Sequence, residues 1–139
     1  MSKFILLRRN PQGVRRNERG AAAIEFALAV PILVLLIYGI FRIGLLYQAN
    51  AGMQHALGEG ARLATLYPTP TDTQITAKMN AKLFGPGYGS FTVVAPVTDA
   101  TSKTLTVTYT TPMDFLLVPG PTVTLTRSKV VYFPAPEPA

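Results

Sequence analysis

Residues 21–41 read AAAIEFALAVPILVLLIYGIF, twenty-one residues with one charge, Glu25. Phe26 to Phe41 is uncharged throughout, and the apolar character continues through Ile43, Leu45, Leu46 and Tyr47. A helix needs about 20 predominantly apolar residues to cross a bilayer, and this stretch supplies them. Pro31 would damage a soluble helix interior, where it removes a backbone hydrogen bond, but membrane spans tolerate it. A buried core helix of this composition needs a protein large enough to surround it, and 139 residues allow one ordinary domain at most. A cleaved secretory signal has a shorter apolar region, about 7–15 residues, followed by a small-residue cleavage site. Here the run is longer and the helical pattern resumes without such a site. Residues 21–44 therefore read as a transmembrane helix.

Outward from this segment, charge gives the orientation. Residues 1–20 hold Lys3, Arg8, Arg9, Arg15, Arg16 and Arg19 against Glu18, a net +5, whereas the other 119 residues carry seven basic and six acidic groups. Residues 1–20 form a basic, turn-prone leader with a break expected at Asn10-Pro11-Gln12-Gly13 and no fixed structure. Arg15, Arg16 and Arg19 precede the span and only Arg42 lies near its end, so the N-terminus is placed in the cytoplasm and the remainder outside. The pI near 9.9 thus describes the leader. A nucleic-acid partner would need a basic face on the folded part, and the near-neutral body argues against one.

Beyond Arg42 the helical period continues in a different character, an amphipathic extension over residues 45–67. Leu46, Met53, Leu57 and Ala64 fall on one side; Gln48, Gln54, His55, Glu59 and Arg62 occupy much of the other. Gly52, Ala56, Gly60 and Ala64 recur every four residues, a column that lets another backbone approach closely. Gly52, Gly58 and Gly60 each cost about 1 kcal/mol against alanine in a helix, so packing must hold this half. Pro68 and Pro70 stop the helix near Tyr67.

Residues 68–133 read as a small helix-plus-β domain, followed by a flexible tail over 134–139. Thr71-Asp72-Thr73-Gln74 is a capping-box pattern, after which Ile75, Met79 and Leu83 line one face of a short helix closed by Gly85-Pro86-Gly87. Three strands are expected: Phe91–Val97, Lys103–Thr110 and Thr122–Phe133. In the second, Leu105, Val107 and Tyr109 face one way and the threonines between them the other. In the third, Val123 and Leu125 share a face, and the pattern slips at Arg127-Ser128, where a bulge is expected. Phe115-Leu116-Leu117-Val118 sits in a proline-bounded loop. The fold class is α+β: a long N-terminal helix packed on a small antiparallel sheet of about three strands, with one short helix. So small a sheet needs one face covered, and the glycine/alanine column is the expected cover.

The chain has no cysteine and one histidine, His55, which excludes thiolate chemistry, zinc–thiolate sites, disulfides and a multi-histidine metal site within one chain. His55, Glu59, Asp72, Asp99, Asp114 and Glu137 form no recognisable paired-carboxylate or nucleophile–histidine pattern. Gly85-Pro86-Gly87-Tyr88-Gly89 lacks the lysine and following helix of a phosphate loop. No catalytic residue, metal or cofactor is expected.

Glu25 is the informative residue. A carboxylate at the centre of a membrane helix costs about 2.5–3.5 kcal/mol on insertion scales; near the start of the run it can lie at the headgroup boundary, as a first-turn acid favoured by the helix dipole. Arg19-Gly20, Ala21-Ala22-Ala23-Ile24 and Glu25-Phe26 resemble the leader junction of type IV pilins. The longer string RGAAAIEFALAVPILVLLIYGIFRIG, Arg19 to Gly44, resembles the TadE-like family of tight-adherence pilus systems. The resemblance implies a minor pilin or pseudopilin of a bacterial inner membrane, single-pass, cut by a prepilin peptidase between Gly20 and Ala21. Glu25, fifth from the cut, would pair with the new N-terminal amine of a neighbouring subunit. It also implies the partners: the peptidase, other pilin or pseudopilin subunits, and an inner-membrane assembly platform. Arg42 departs from the family, which often has an acid near there. Phe26 in place of tyrosine, and a length beyond that of a major pilin, favour a minor subunit. An uncleaved single-span scaffold of a secretion or pilus machine is the alternative.

Overall fold

The computed structural model describes residues 12–114 and 119–132, with side chains from Gly20 onward. The expected loop at Phe115–Val118, the tail 134–139 and the first eleven residues lie outside the described residues. The elements in chain order are helix α1 (Gln12–Ala64), helix α2 (Asp72–Lys82) and strands β1 (Ser90–Thr98), β2 (Ser102–Pro112) and β3 (Thr122–Tyr132). The α+β class stands as expected. The chain divides into two units, residues 1–37 and 38–139.

In the first unit α1 runs without interruption through Pro31. From Gly20 to Ile37 every residue is exposed except the half-buried Val30; Ile24 is 65% and Phe26 71% exposed. A helix apolar all round belongs in a core or in a membrane. The segment is long and apolar enough to cross a bilayer, and none of its most apolar window is buried. The leader needs a correction. A break at Asn10–Gly13 and an unstructured segment up to residue 20 were expected, yet residues 12–20 are helical. Val14-Arg15-Arg16-Asn17-Glu18-Arg19 is made mostly of good helix formers, and the apolar segment supplies the nucleus, after which each added residue costs little.

In the second unit the sheet has order β1-β2-β3, antiparallel throughout. The alternation in β2 sets its faces: Leu105, Val107 and Tyr109 are buried, and the intervening threonines are half-buried. The core joins them to Ala49, Met53, Ala56 and Leu57 of α1 and to Ile75 and Met79 of α2, with Leu83 packed at its margin. α2 begins as its sequence dictates. The Thr71 hydroxyl accepts from the Gln74 amide at 3.3 Å, and the Thr71 amide donates to the Gln74 side chain at 3.0 Å. α1 ends at Ala64, three residues before the expected Tyr67. The Thr65 hydroxyl donates to the Arg62 carbonyl at 2.9 Å, and the Leu66 amide donates to the Leu63 carbonyl at 3.1 Å, closing the last turn.

The bulge was expected in the wrong strand. β3 pairs with β2 in unbroken register from Ser102↔Tyr132 to Pro112↔Thr122. The irregularity lies in β1 between Val94 and Val97, at Ala95-Pro96, where proline cannot donate to the ladder. The polar residue Arg127 at an inward position of β3 has a side-chain cause instead. It lies on an edge strand and its Nε donates to the Asn50 side chain at 2.7 Å.

Candidate functional site

Gly20, Ala21 and Glu25 all lie on α1 and are exposed. Ala21 and Glu25 are four residues apart, so they share one helix face a turn apart. Nothing lies within 4 Å of where a Cβ on Gly20 would stand. Arg15, Arg16 and Arg19 sit on the helical backbone N-terminal to the junction, with their side chains outside the described residues.

All four members of the small-residue column, Gly52, Ala56, Gly60 and Ala64, are buried. A Cβ on Gly52 would stand 1.7 Å from the carbonyl oxygen of Phe84, so the backbone between α2 and β1 lies directly on the helix there. A Cβ on Gly60 would stand 2.5 Å from Met79 Cγ and 3.3 Å from Leu105 Cδ1. The column thus faces α2 and its exit as well as the sheet. Gly58 is different, with open space where its Cβ would stand.

A second cluster was not anticipated from the sequence. The Arg42 Nε donates to the Tyr38 hydroxyl at 3.0 Å, and its guanidinium carbon lies 5.3 Å from the ring centroids of both Tyr38 and Tyr88. Arg42 is thereby held by two aromatic faces, an electrostatic attraction to the rings' negative faces. The backbone of Tyr88 is fixed in turn, because the Tyr109 hydroxyl donates to its carbonyl. The next residue, Gly89, has φ +104°, and a Cβ there would stand 2.7 Å from both the Thr110 carbonyl oxygen and the Tyr109 hydroxyl. The local signal was the four-residue spacing of Tyr38 and Arg42; nothing in the sequence pointed to Tyr88.

Glu59 lies 3.5 Å from Arg62 and 3.9 Å from Lys78, and Asp72 pairs with the buried Lys103. His55 is exposed, its ring 5.7 Å from that of Phe84. Among the described residues no three His, Cys, Asp or Glu side chains gather to hold a metal. A cleft of about 240 Å³ lies between Ile43, Leu46 and Tyr47 of α1 and Leu125 and Arg127 of β3.

No curated protein and no solved structure matches the chain. The family model described as TadE-like protein matches residues 20–62. That stretch opens on Gly20 and takes in Glu25, the exposed apolar segment and three of the four small positions, Gly52, Ala56 and Gly60; over it the chain is similar to TadE-like proteins.

Proposed function

We propose that the chain is a minor pilin or pseudopilin of a tight-adherence pilus, held in a bacterial inner membrane and cut after Gly20 by a prepilin peptidase. In this reading residues 1–20 are a cytoplasmic leader, 21–44 the span, 45–67 its amphipathic continuation, 68–133 the outer domain and 134–139 a tail. The observation that carries it is the TadE-like match, which begins at Gly20 and continues along a helix whose apolar side chains are exposed. Such a helix is stable in lipid, and leaves it only by exchanging lipid for the helices of other subunits. Glu25 must then give up the hydrated boundary, and a carboxylate in an apolar bundle needs a cation. Cutting after Gly20 creates one, the amine of Ala21, which in a neighbouring subunit can reach Glu25. Arg15, Arg16 and Arg19 hold the uncut leader in the cytoplasm. The role is structural and uses no cofactor; its partners are the peptidase, other pilin or pseudopilin subunits and the inner-membrane assembly platform.

The helix running unbroken from Gln12 through the junction favours a second reading, a permanent single-span scaffold that is never cut. One measurement separates them. The full chain is expressed with and without a prepilin peptidase, and the mass of its membrane form is read by mass spectrometry. A product beginning at Ala21 is expected, and Gly20→Ala should block it. Because no atom crowds the Gly20 position, that block reports on recognition of the junction. A leader that stays attached while a known pilin is processed overturns the first reading. Glu25→Ala should still be cut but fail to assemble, and normal assembly would refute the pairing role.

A further inference from the structure

The three strands carry their charges on one side. Lys103, Arg127 and Lys129 share the face of the core residues Leu105, Val107 and Tyr109, the side turned to the helices. The other face, among the described residues, carries no charge at all. Along β2 it presents Thr104, Thr106, Thr108 and Thr110. This inverts the usual arrangement, in which the solvated face of an antiparallel sheet is the charged one. Depletion of charge is instead the compositional mark of an interface core.

Two further features suit this face to being covered. Six of its hydroxyls face one another across strands: Thr106 bonds Ser128 at 2.9 Å, and Thr108 with Thr126 at 3.4 Å and Thr110 with Thr124 at 3.5 Å make longer contacts. Removing water from paired hydroxyls avoids the cost of orphaned ones. At one end the face is apolar, with Val97 and Val130 flanking Thr104 in register, Val94 beside them and Tyr132 beyond. These four side chains are 60%, 47%, 43% and 73% exposed.

We propose that this face packs against the same face of a second copy of the chain, sheet on sheet. A face with charges of neither sign demands no complementary partner and is its own complement, the condition for a twofold interface. With strands about 4.8 Å apart and residues rising about 3.3 Å, three strands of about ten residues present roughly 480 Å² of flat surface. Two faces then remove roughly 1,000 Å² from water, the threshold of a specific interface. A pair of that size is weak in free solution. Confinement to one membrane raises the effective concentration and populates it. With the strands of both copies running the same way about a twofold axis along them, β2 lies on β2 and β1 on the other copy's β3, so Val97 of one copy meets Val130 of the other.

The test uses the full chain in membranes of cells lacking a prepilin peptidase, so its outcome is independent of whether the leader is cut. The chain has no cysteine, so Thr106→Cys reports on this face and Gln54→Cys, exposed on α1, serves as control. A short bismaleimide should link Thr106→Cys into a dimer and leave Gln54→Cys monomeric. Adding Thr126→Lys, an exposed position, should cut the dimer yield about tenfold or more, since it buries an unpaired charge. Circular dichroism melting of Thr126→Lys checks that the fold is kept. Equal linking at both cysteines, linking indifferent to Thr126→Lys, or linking only to a different membrane protein would each overturn the second-copy proposal.

Discussion

Gly52 and Gly58 lie six residues apart in the interior of one helix, and replacing each with alanine should move stability in opposite directions. By propensity alone both substitutions gain about 1 kcal/mol. At Gly58 nothing opposes that gain, because no atom lies within 4 Å of the new Cβ. At Gly52 the new Cβ would stand 1.7 Å from the Phe84 carbonyl oxygen and 2.8 Å from its carbon. Carbon contacts settle at about 3.5–4.0 Å, so the chain leaving α2 must retreat by roughly half that distance. It is not free to do so. At the next residue, Gly85, the Cβ position is already 2.5 Å from the Phe91 ring and 3.5 Å from the Ala49 backbone. Overpacking of this kind costs about 1–3 kcal/mol or more, and the upper end applies because backbone is displaced. The net loss is about 2 kcal/mol. Gly60→Ala falls between, since the intruding atoms belong to the flexible Met79 side chain and can swing aside.

The assay is thermal unfolding of the full chain in detergent micelles, followed by the near-ultraviolet circular dichroism of its tyrosines. For a unit of this size 1 kcal/mol shifts Tm by about 4–8 °C. Gly58→Ala should therefore raise Tm by about 4–8 °C, and Gly52→Ala should lower it by about 8–16 °C. If Gly52→Ala instead stabilises the chain as Gly58→Ala does, the Phe84 backbone does not rest on α1. The column would then be open for contact with another subunit.

Three further perturbations test the elements around this core by the same melting experiment. Gly89→Ala combines a left-handed φ with a Cβ 2.7 Å from Thr110 O, and should cost about 2–3 kcal/mol. Tyr109→Phe keeps the ring contact with Phe91, at 4.6 Å between centroids, and loses only the hydroxyl donated to Tyr88, for a loss of about 1 kcal/mol. Thr71→Ala removes the acceptor for the Gln74 amide and should cost about 1 kcal/mol, while Thr71→Ser should restore most of it.

What was legible in the sequence was whatever depends on short spacing. The capping box at Thr71 and the alternation of Leu105, Val107 and Tyr109 are local patterns, and both stand in the structure. The spacing of Gly20 and Glu25 is equally local, and the family match begins at Gly20. The misplaced bulge shows the opposite case. A polar residue at an inward position looks the same in sequence whether the strand slips or the side chain reaches sideways, and Arg127 finds Asn50, 77 positions earlier. Gly52 falls in the four-residue column and Gly58 does not, but both carry the same propensity cost and the sequence does not name what lies over the column. Only the passage of Phe84 over one of them separates a close-packing requirement from an unopposed cost.

Arg42 raises the same difficulty at the end of the apolar segment, and resolving it bears on where lipid ends. The expected span, residues 21–44, would be about 36 Å long as a helix, more than the roughly 30 Å of hydrocarbon. Residues 38–44 belong to the C-terminal unit, where Tyr38 and Arg42 are half-buried beside Tyr88. What remains of the apolar run, from Ala21 to Ile37, is 17 residues with Glu25 its one charge and only Val30 half-buried, the lower limit for a crossing. A helix at that limit relies on its flanks, and tyrosines and arginines are the side chains suited to the headgroup level. Arg42, read from sequence as a departure from the family, then has a physical role at this boundary. It flanks the apolar segment on its C-terminal side, as Arg15, Arg16 and Arg19 flank it on the N-terminal side. Its charge is met by aromatic faces of its own chain, so it places no demand on a neighbouring helix. Glu25, at the opposite end of the same apolar run, has no such aromatic partner among the described residues, which is why the proposed pairing with another subunit falls to Glu25 and not to Arg42.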